Sequence, residues 1–464
     1  MKNNLLYVIL LSILFFACKG KPDPKPDPAP NTDPKADPAV TKPDITMLTN
    51  KFLVLSDVHV DKDLPNTTFG NSSISVTSEN LWKKAKAKIE SVVVSEQPKF
   101  MVYLGDLPGY DDNERKENTH LMLENLRNLQ IGIPILYLPG NNDSLEGDYH
   151  SFTNANGNTV LTKDADQANP WPIINKGSTV IRATNLDFDK EFGFYSVDLV
   201  DKGKKLTVIA LNTVIFSNSG SHPYKGDDGY TQQQATDKQM DWFLGKLKSL
   251  SATDKVLIMM HIPPGTDGYK NKHRDGTVTY GKMWHPSLLY KMKDTTGTVI
   301  TYQLQDAFIE LISKHEPNII GMLNGHTHLD GLRRIVNTTP NEQPDFVTYS
   351  ITTPGIAVNH GNNPGFKMFT YNASNFDLLD FKTYYAVPTN SSMNGDFQFS
   401  DTNFYTFRQA YNSFGGVTTI KSILENKPKD SIVKYMYKTI GVKTNQNVNN
   451  SMNLDTAYTV YKQQ

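Results

Sequence analysis

Short apolar runs, each cut off by a polar motif, constrain this chain more than any other feature. Phe52-Leu53-Val54-Leu55 ends in Ser-Asp, Met101-Val102-Tyr103-Leu104 in Gly-Asp, and Ile135-Leu136-Tyr137-Leu138 in Pro-Gly-Asn-Asn-Asp. Leu206 to Leu211 ends in Asn-Thr, Val256 to Met260 in His-Ile-Pro-Pro, and Ile319 to Leu323 in Asn-Gly-His-Thr-His. A continuous apolar run of about 4–8 residues bounded by turn signals suits a strand covered on both faces. Helical stretches lie between the runs: Glu79 to Glu96, Glu114 to Leu129, Asp237 to Leu250 and Gln303 to His315. The alternation predicts α/β layering, with ligands bound beyond the carboxyl ends of the strands.

After Asp345 the spacing tightens, and Phe346 to Ile351, Lys367 to Tyr371 and Phe376 to Phe381 read as strands. From Ala386 onward the pattern changes again. Asn403 to Tyr411, Thr419 to Leu424 and Ser431 to Tyr437 read as helices. The expected organisation is a catalytic domain over 46–385 and a small helical C-terminal subdomain over 386–464. A length of 464 residues accommodates both.

The N-terminus reads as a targeting segment. Lys2 precedes an apolar run from Leu5 to Ala17, about a dozen residues and too short to span a ~30 Å hydrocarbon core as a helix. The run ends in Phe15-Phe16-Ala17-Cys18, which resembles a bacterial lipobox, although Phe15 stands where Leu is usual. Residues 1–18 are expected to act as a lipoprotein signal, leaving Cys18 lipidated and the protein membrane-anchored in the cell envelope, periplasmic or surface-facing. Residues 19–45 repeat Pro with Asp and Lys, cannot bury a core, and favour an extended spacer. Cys18 is the only cysteine, so no intrachain disulfide can form. Lys plus Arg total 47 against 48 for Asp plus Glu. That balance gives no electrostatic case for a nucleic-acid polymer as partner.

The polar residues closing the runs are Asp57 and His59, Asp106, Asn141 with Asn142 and Asp143, His261, and His326 with His328. Carboxylate, imidazole and amide donors without thiolate suit Zn²⁺, Mn²⁺ or Fe. Asp-x-His and His-x-His can turn both side chains into one cavity, and Gly105 and Gly140 let the backbone leave its strand sharply. Two metals ~3.5–4 Å apart need a bridging ligand, and Asp106 is the natural candidate. Each motif is weak alone, and their joint occurrence at successive strand ends carries the reading.

The ordered set D-x-H, GD, GN, H and GHTH resembles the calcineurin-like metallophosphoesterase superfamily. FLVLSDVHVD, YLGDLPGYDDN, LNGHTHLDG and YSITTPGIAVNHGNNPGFKMF are similar to its acid sphingomyelinase and sphingomyelinase-like phosphodiesterase branch. The resemblance runs from about Lys51 to Tyr385. It implies a four-layer α/β/β/α sandwich and two divalent metal ions, Zn²⁺ first, with Mn²⁺ or Fe as alternatives. One metal would take Asp57, His59, Asp106 and His328, and the other Asp106, Asn141, His261 and His326. A water activated between them would attack the phosphorus.

Two departures bear on catalysis. The family usually has a His after the metal-binding Asn, where this chain has Asn142. Acid sphingomyelinases carry a His shortly after the bridging Asp, where this chain has Tyr110. Asn142 cannot act as an acid near pH 7, and Tyr110, with an ordinary pKa near 10, would be a poor base. His222, His273 and His285, in Gly-rich loops, are candidates to compensate. The loops His222 to Tyr230 and Thr266 to Trp284 suit a substrate rim, and Asn359 to Phe366 reads as a turn beneath the site. The expected function is hydrolysis of a sphingomyelin-like phospholipid by a monomer. The alternatives are a nucleotide or other small phosphoester hydrolase, and a catalytically weakened surface binding lipoprotein.

Overall fold

The computed structural model describes residues 48–64, 76–159, 171–175, 182–219, 223–272, 277–294, 296–360, 362–389, 396–410, 418–426 and 457–462. The expectations for Cys18, the 19–45 spacer, His222, His273 and Ser431 to Tyr437 lie outside the described residues. Met47–Gln464 form one compact unit.

In chain order the elements begin β1 (Thr49–Leu55), β2 (Val60–Asp61), β3 (Thr77–Ser78), α1 (Glu79–Glu96), β4 (Met101–Tyr103), α2 (Arg115–Arg127), β5 (Ile135–Tyr137) and β6 (Ile173–Asn175). Then come β7 (Arg182–Asp189), β8 (Phe194–Asp201), β9 (Lys204–Leu211), α3 (Gln232–Lys248), β10 (Lys255–Met260), β11 (Thr266–Lys272), β12 (Val278–Lys282), β13 (Leu289–Lys293) and β14 (Val299–Gln303). The chain closes with α4 (Leu304–Lys314), β15 (Ile319–Asn324), β16 (Gly331–Val336), β17 (Phe346–Thr352), β18 (Gly365–Asn372), β19 (Leu378–Pro388), β20 (Phe397–Thr406), α5 (Phe407–Ala410), α6 (Ile420–Asn426) and β21 (Thr459–Val460).

Two large mixed sheets result. The first runs β20-β19-β18-β1-β4-β5-β6 and the second β21-β16-β17-β15-β10-β9-β8-β7. The apolar runs read from sequence are their parallel centres: β1 with β4, β4 with β5, β9 with β10, and β10 with β15. One apolar core draws side chains from both sheets, α1 and α2, and includes Leu257 and Met259 of β10. Val256, Ile258 and Met260 of the same strand enter a second core with α3 and α4. The two-residue period of a strand thus splits one continuous apolar run between two cores.

Local signals fix the helix starts. Ser78 caps α1 by accepting from Leu81 N at 3.3 Å. Leu81, Trp82, Ala85, Ile89, Val92 and Val93 then line its buried face at helical spacing. Helix α3 begins at Gln232 rather than near Asp237, because Thr231 and Gln234 form a capping box that its polar first turn disguises in the sequence.

The reading of 386–464 as helical holds for Thr419 to Leu424, most of which lies in α6, and for the end of Asn403 to Tyr411, where Phe407–Ala410 form α5, but it is corrected for the segment before α5. Phe397–Thr406 is a strand on the edge of the first sheet, antiparallel to β19, and Thr459–Val460 pairs with β16 on the edge of the second. Tyr384 packs against Phe404 with tilted rings 5.7 Å apart, so aromatic cross-strand contacts hold the segment that helix propensity suggested otherwise. Helical turns in this region include α5 and α6. Within the stretch read as a rim loop, β11 and β12 form a hairpin.

Candidate metal centre

The loops after β1 and β4 are stitched together by backbone. Asp57 N donates to Gly105 O at 3.0 Å, and Val58 N and His59 N donate to Asp106 O at 3.0 and 3.1 Å. The loop after β5 is tied to them by a buried carboxylate. Asp143 accepts from Gly140 N (2.7 Å), Asp106 N (2.8 Å) and Leu107 N (2.7 Å). Gly105 needs its positive φ of 97°, and a Cβ on Gly140 would fall 2.3 Å from Asp106 Oδ1. The two glycines of the motifs therefore permit loop contact as well as a turn.

Asp57, His59, Asp106, His326 and His328 all have left-handed backbones, with φ of 50°, 46°, 62°, 70° and 58°. A non-glycine residue in that region costs roughly 1–2 kcal/mol. Such strain is held where the surrounding fold over-determines it, commonly at functional sites.

Donor atoms of Asp57, His59 and His328 lie within 4.8 Å of one another, as do those of Asp106, His261 and His326. The two sets touch: His59 Nε2 is 3.3 Å and His261 Nε2 3.2 Å from Asp106 Oδ2, and His261 Nε2 is 3.9 Å from Asp57 Oδ1. Asn141 Oδ1 lies 2.9 Å from His326 Nδ1 and 3.0 Å from His261 Nε2. The structure thus gathers Asp57, His59, Asp106, Asn141, His261, His326 and His328 at one edge, with Asp106 between the two sets.

The donor set fits cations. His59 Nδ1 lies 3.0 Å from Pro108 O and His261 Nδ1 2.6 Å from Leu104 O. Each ring therefore donates from Nδ1 and turns Nε2 inward, where loss of its proton would offer a lone pair to a cation. There, His59 Nε2 faces His328 Nε2 at 3.1 Å, and His261 Nε2 faces Asn141 Oδ1 and Asp106 Oδ2. Once those nitrogens are deprotonated, lone pairs oppose lone pairs, an arrangement that a shared cation satisfies. Coordination at ~2.0–2.2 Å from each donor is compatible with donors about 3 Å apart.

The electrostatics of the metal-free chain agree. Burial raises Asp57 to about 6, partly opposed by His261. Burial would raise Asp106 too, but His261 and His59 outweigh it and hold that carboxyl well below its usual range. Burial would lower His261, but Asp106 prevails and raises it to about 9. Burial lowers His326 to about 3 and His328 well below the ordinary imidazole value. Burial would lower His59 likewise, but Asp106 prevails and raises it. The buried carboxylates thus draw a proton onto His261, which a bound cation would displace.

Of the proton-donor candidates, Asn142 and Tyr110 lie beside the donor set. Asn142 is buried, its Nδ2 3.2 Å from Asp106 Oδ2 and its N donating to Asp106 Oδ1 at 2.8 Å. Buried Arg115 donates to Asn142 O at 2.6 Å and is itself held by Asp112. Asn142 is therefore an internal brace on Asp106. Tyr110 stacks on His59 at 4.7 Å and its hydroxyl accepts from Asn359 Nδ2 at 2.7 Å. His285 turns back locally, its N donating to Phe216 O and its Nδ1 accepting from Ser287 N.

Sequence reasoning missed several supports. Asp148 accepts from Asn141 Nδ2 at 2.6 Å, turning Oδ1 toward the histidines. Thr213 of the Leu-Asn-Thr motif accepts from Ile262 N at 2.8 Å, steadying the His261 loop. His360, in the stretch read as a plain turn, packs 4.6 Å from His328 and 5.0 Å from Tyr269. A carboxylate seven residues past a ligand Asn was the available clue for Asp148.

A family profile described as Calcineurin-like phosphoesterase matches residues 50–330. The chain is 25% identical over 429 residues to Sphingomyelinase phosphodiesterase D of Dictyostelium discoideum, covering 82% of this chain and 85% of that one. It is 24% identical over 327 residues to Cyclic GMP-AMP phosphodiesterase SMPDL3A of Rattus norvegicus, covering 68% of this chain and 63% of the relative. Among solved structures, that of PhoD aligns over 85% of this chain and 78% of its own, at 10% identity and a TM-score of 0.42. The profile match spans more than half of the chain, which therefore belongs to the calcineurin-like phosphoesterase family and is a phosphoric ester hydrolase.

Proposed function

We propose that the chain is a phosphodiesterase that cleaves a sphingomyelin-like phospholipid into a ceramide-type lipid and a phosphorylated headgroup. The observation that carries this is the lone-pair-lined cluster spanning the two sheets, together with the likeness to the Dictyostelium relative along most of both chains. Asp57, His59 and His328 would hold one divalent cation, and Asn141, His261 and His326 the other, with Asp106 shared. Bound cations would supply the positive charge that stabilises phosphoryl transfer. The chain's own part is placement. Asp143 and Asn142 fix Asp106, Asp148 orients Asn141, and Tyr110 forms a wall against His59.

A second reading, a nucleotide phosphodiester as substrate, is favoured by Tyr110, 45% exposed and face-stacked at the site. A base could stack there. The likeness to the rat cyclic GMP-AMP phosphodiesterase supports it. Assaying the 47–464 unit with sphingomyelin and a cyclic dinucleotide in parallel, alongside metal analysis, separates the readings. Turnover of the dinucleotide alone overturns the lipid assignment. Two bound metals with no turnover of either substrate would favour a binding protein.

We also propose that Cys18 carries a lipid anchor. Acyl chains contribute about 0.8 kcal/mol per buried CH₂, and among the described residues no helix is long and apolar enough to cross a membrane. Cys18→Ser is expected to release the protein from the membrane fraction or leave its signal uncleaved. Unchanged membrane association would place the anchor elsewhere.

A further inference from the structure

Each candidate donor set straddles the two sheets. Asp57 and His59 follow β1 and Asp106 follows β4, in the first sheet; His261 follows β10, and His326 and His328 follow β15, in the second. The spacing of the donors therefore depends on how the two sheets are registered against each other. Ladder hydrogen bonds run within a sheet and cannot set that register.

Two residues past His328, Asp330 sits at the mouth of β16, 3% exposed. Lys367 of β18, fully buried, places Nζ 2.8 Å from Asp330 Oδ1. Lys367 Nζ also donates to Thr383 Oγ1 of β19 at 2.7 Å, and that hydroxyl donates to Asp330 Oδ2 at 3.1 Å. The Tyr405 hydroxyl of β20 donates to the same oxygen. Three adjacent strands of the first sheet thus converge on one carboxylate in the histidine loop of the second. The Lys367 ammonium also lies 3.8 Å from the Phe381 ring centroid. Burial draws its pKa below the ordinary lysine value against the pull of Asp330.

A buried ion pair is a poor way to gain stability, since well-packed apolar residues of similar volume often do as well or better. It is directional, however, and here it joins the two bodies whose register sets the donor spacing. We infer that Asp330 and Lys367, braced by Thr383 and Tyr405, are positioning residues that hold His328 at ligating distance from Asp57 and His59. This rests on the metal-centre reading above.

The test is Zn²⁺ affinity of the metal-stripped full chain, measured by competition with a chelator, together with its thermal unfolding. Asp330→Asn and Lys367→Met should each weaken one of the two sites by about 10–100-fold, the range for lost outer-shell partners. The double variant Asp330→Leu/Lys367→Met should recover thermal stability but not Zn²⁺ affinity. Tyr405→Phe, which keeps the pair and should fold, is expected to cost under about 10-fold at the same site. Wild-type affinity at both sites in the double variant and in Tyr405→Phe would overturn the inference and leave the pair a purely structural contact. The wild-type titration stands apart from this. If wild type binds no Zn²⁺, the metal-centre reading itself fails.

Discussion

The two ends of β1 carry charge in opposite ways. At its start, Lys51 meets Glu96 at the end of α1, and Lys382 of β19 joins the same carboxylate. The Tyr384 hydroxyl donates to it at 2.9 Å. Burial would raise Glu96, but Lys382, Lys51 and Tyr384 outweigh that and hold it at about 2. Past the other end of the strand, Asp57 is lifted to about 6 by burial, and imidazole nitrogens face carboxylate and amide oxygens. One end is closed by lysines, while at the other Asp106 is countered by a histidine proton inside strained backbone. Complementary charge thus serves the fold at one end, and at the other it rests on a proton that a cation would displace.

The largest effect is expected from breaking the donor cluster at its centre. Asp106→Asn removes the carboxylate shared by both donor sets while keeping the shape of the side chain. Hydrolysis should fall by more than about 100-fold, beyond the usual loss from an outer-shell change, and metal content should drop with it. Full activity with normal metal content would show that Asp106 is not shared.

Next comes the proton that the metal-free site holds. Asp106 raises His261 to about 9, so this imidazole is protonated at pH 7 until a cation displaces the proton. Below that pKa, affinity for the cation should fall about tenfold per pH unit. Calorimetry in buffers of different ionisation enthalpy should register a proton released on Zn²⁺ uptake at pH 7.5. Affinity unchanged between pH 6 and 8 would mean that His261 is already neutral or does not ligate.

A smaller effect is expected at Asn142. Its Oδ1 accepts from Arg115 Nη1 at 3.4 Å and its Nδ2 donates to Asp106 Oδ2 at 3.2 Å, so an imidazole there would break the brace. Asn142→His should lower hydrolysis of a natural phosphodiester and of an activated aryl ester alike, by about tenfold. A gain confined to the natural substrate would instead mean that this position lacks a general acid, which matters only where charge builds on the leaving oxygen.

What could be read from sequence follows the same division. The central strands were legible because burial on both faces leaves an unbroken apolar run, as in β10. The candidate donors were legible because each run stops at them. Strand β20 was not, because an edge strand is only partly buried and its pattern does not settle the period. Its place depends on β19 and on Tyr405 reaching Asp330, contacts distant in sequence. Asn142 was legible as a neighbour of the donors, but not the direction of its amide, which contacts Arg115 on α2 and Asp106. Local pattern names the donors, and long-range packing decides where they point.

The smallest effect lies at the closed end. Glu96 is 13% exposed, while Lys51 and Lys382 are 31% and 34% exposed. Its folded pKa of about 2 lies below the ordinary value near 4.3. The folded state therefore favours the ionised carboxylate, and the gain is complete above about pH 4.5 and lost as pH falls toward 2. A shift of this size would be worth about 3 kcal/mol unscreened, and solvent access to the lysines reduces it to about 1–2 kcal/mol. Glu96→Gln should therefore lower stability by about that much at pH 7 in urea unfolding. The gap to wild type should narrow as pH drops from 4.5. Zn²⁺ affinity should not change, because this cluster lies at the far end of β1 from the donors. A Glu96→Gln variant that weakened Zn²⁺ binding would break the comparison, since it would mean that the two ends of the strand are energetically coupled.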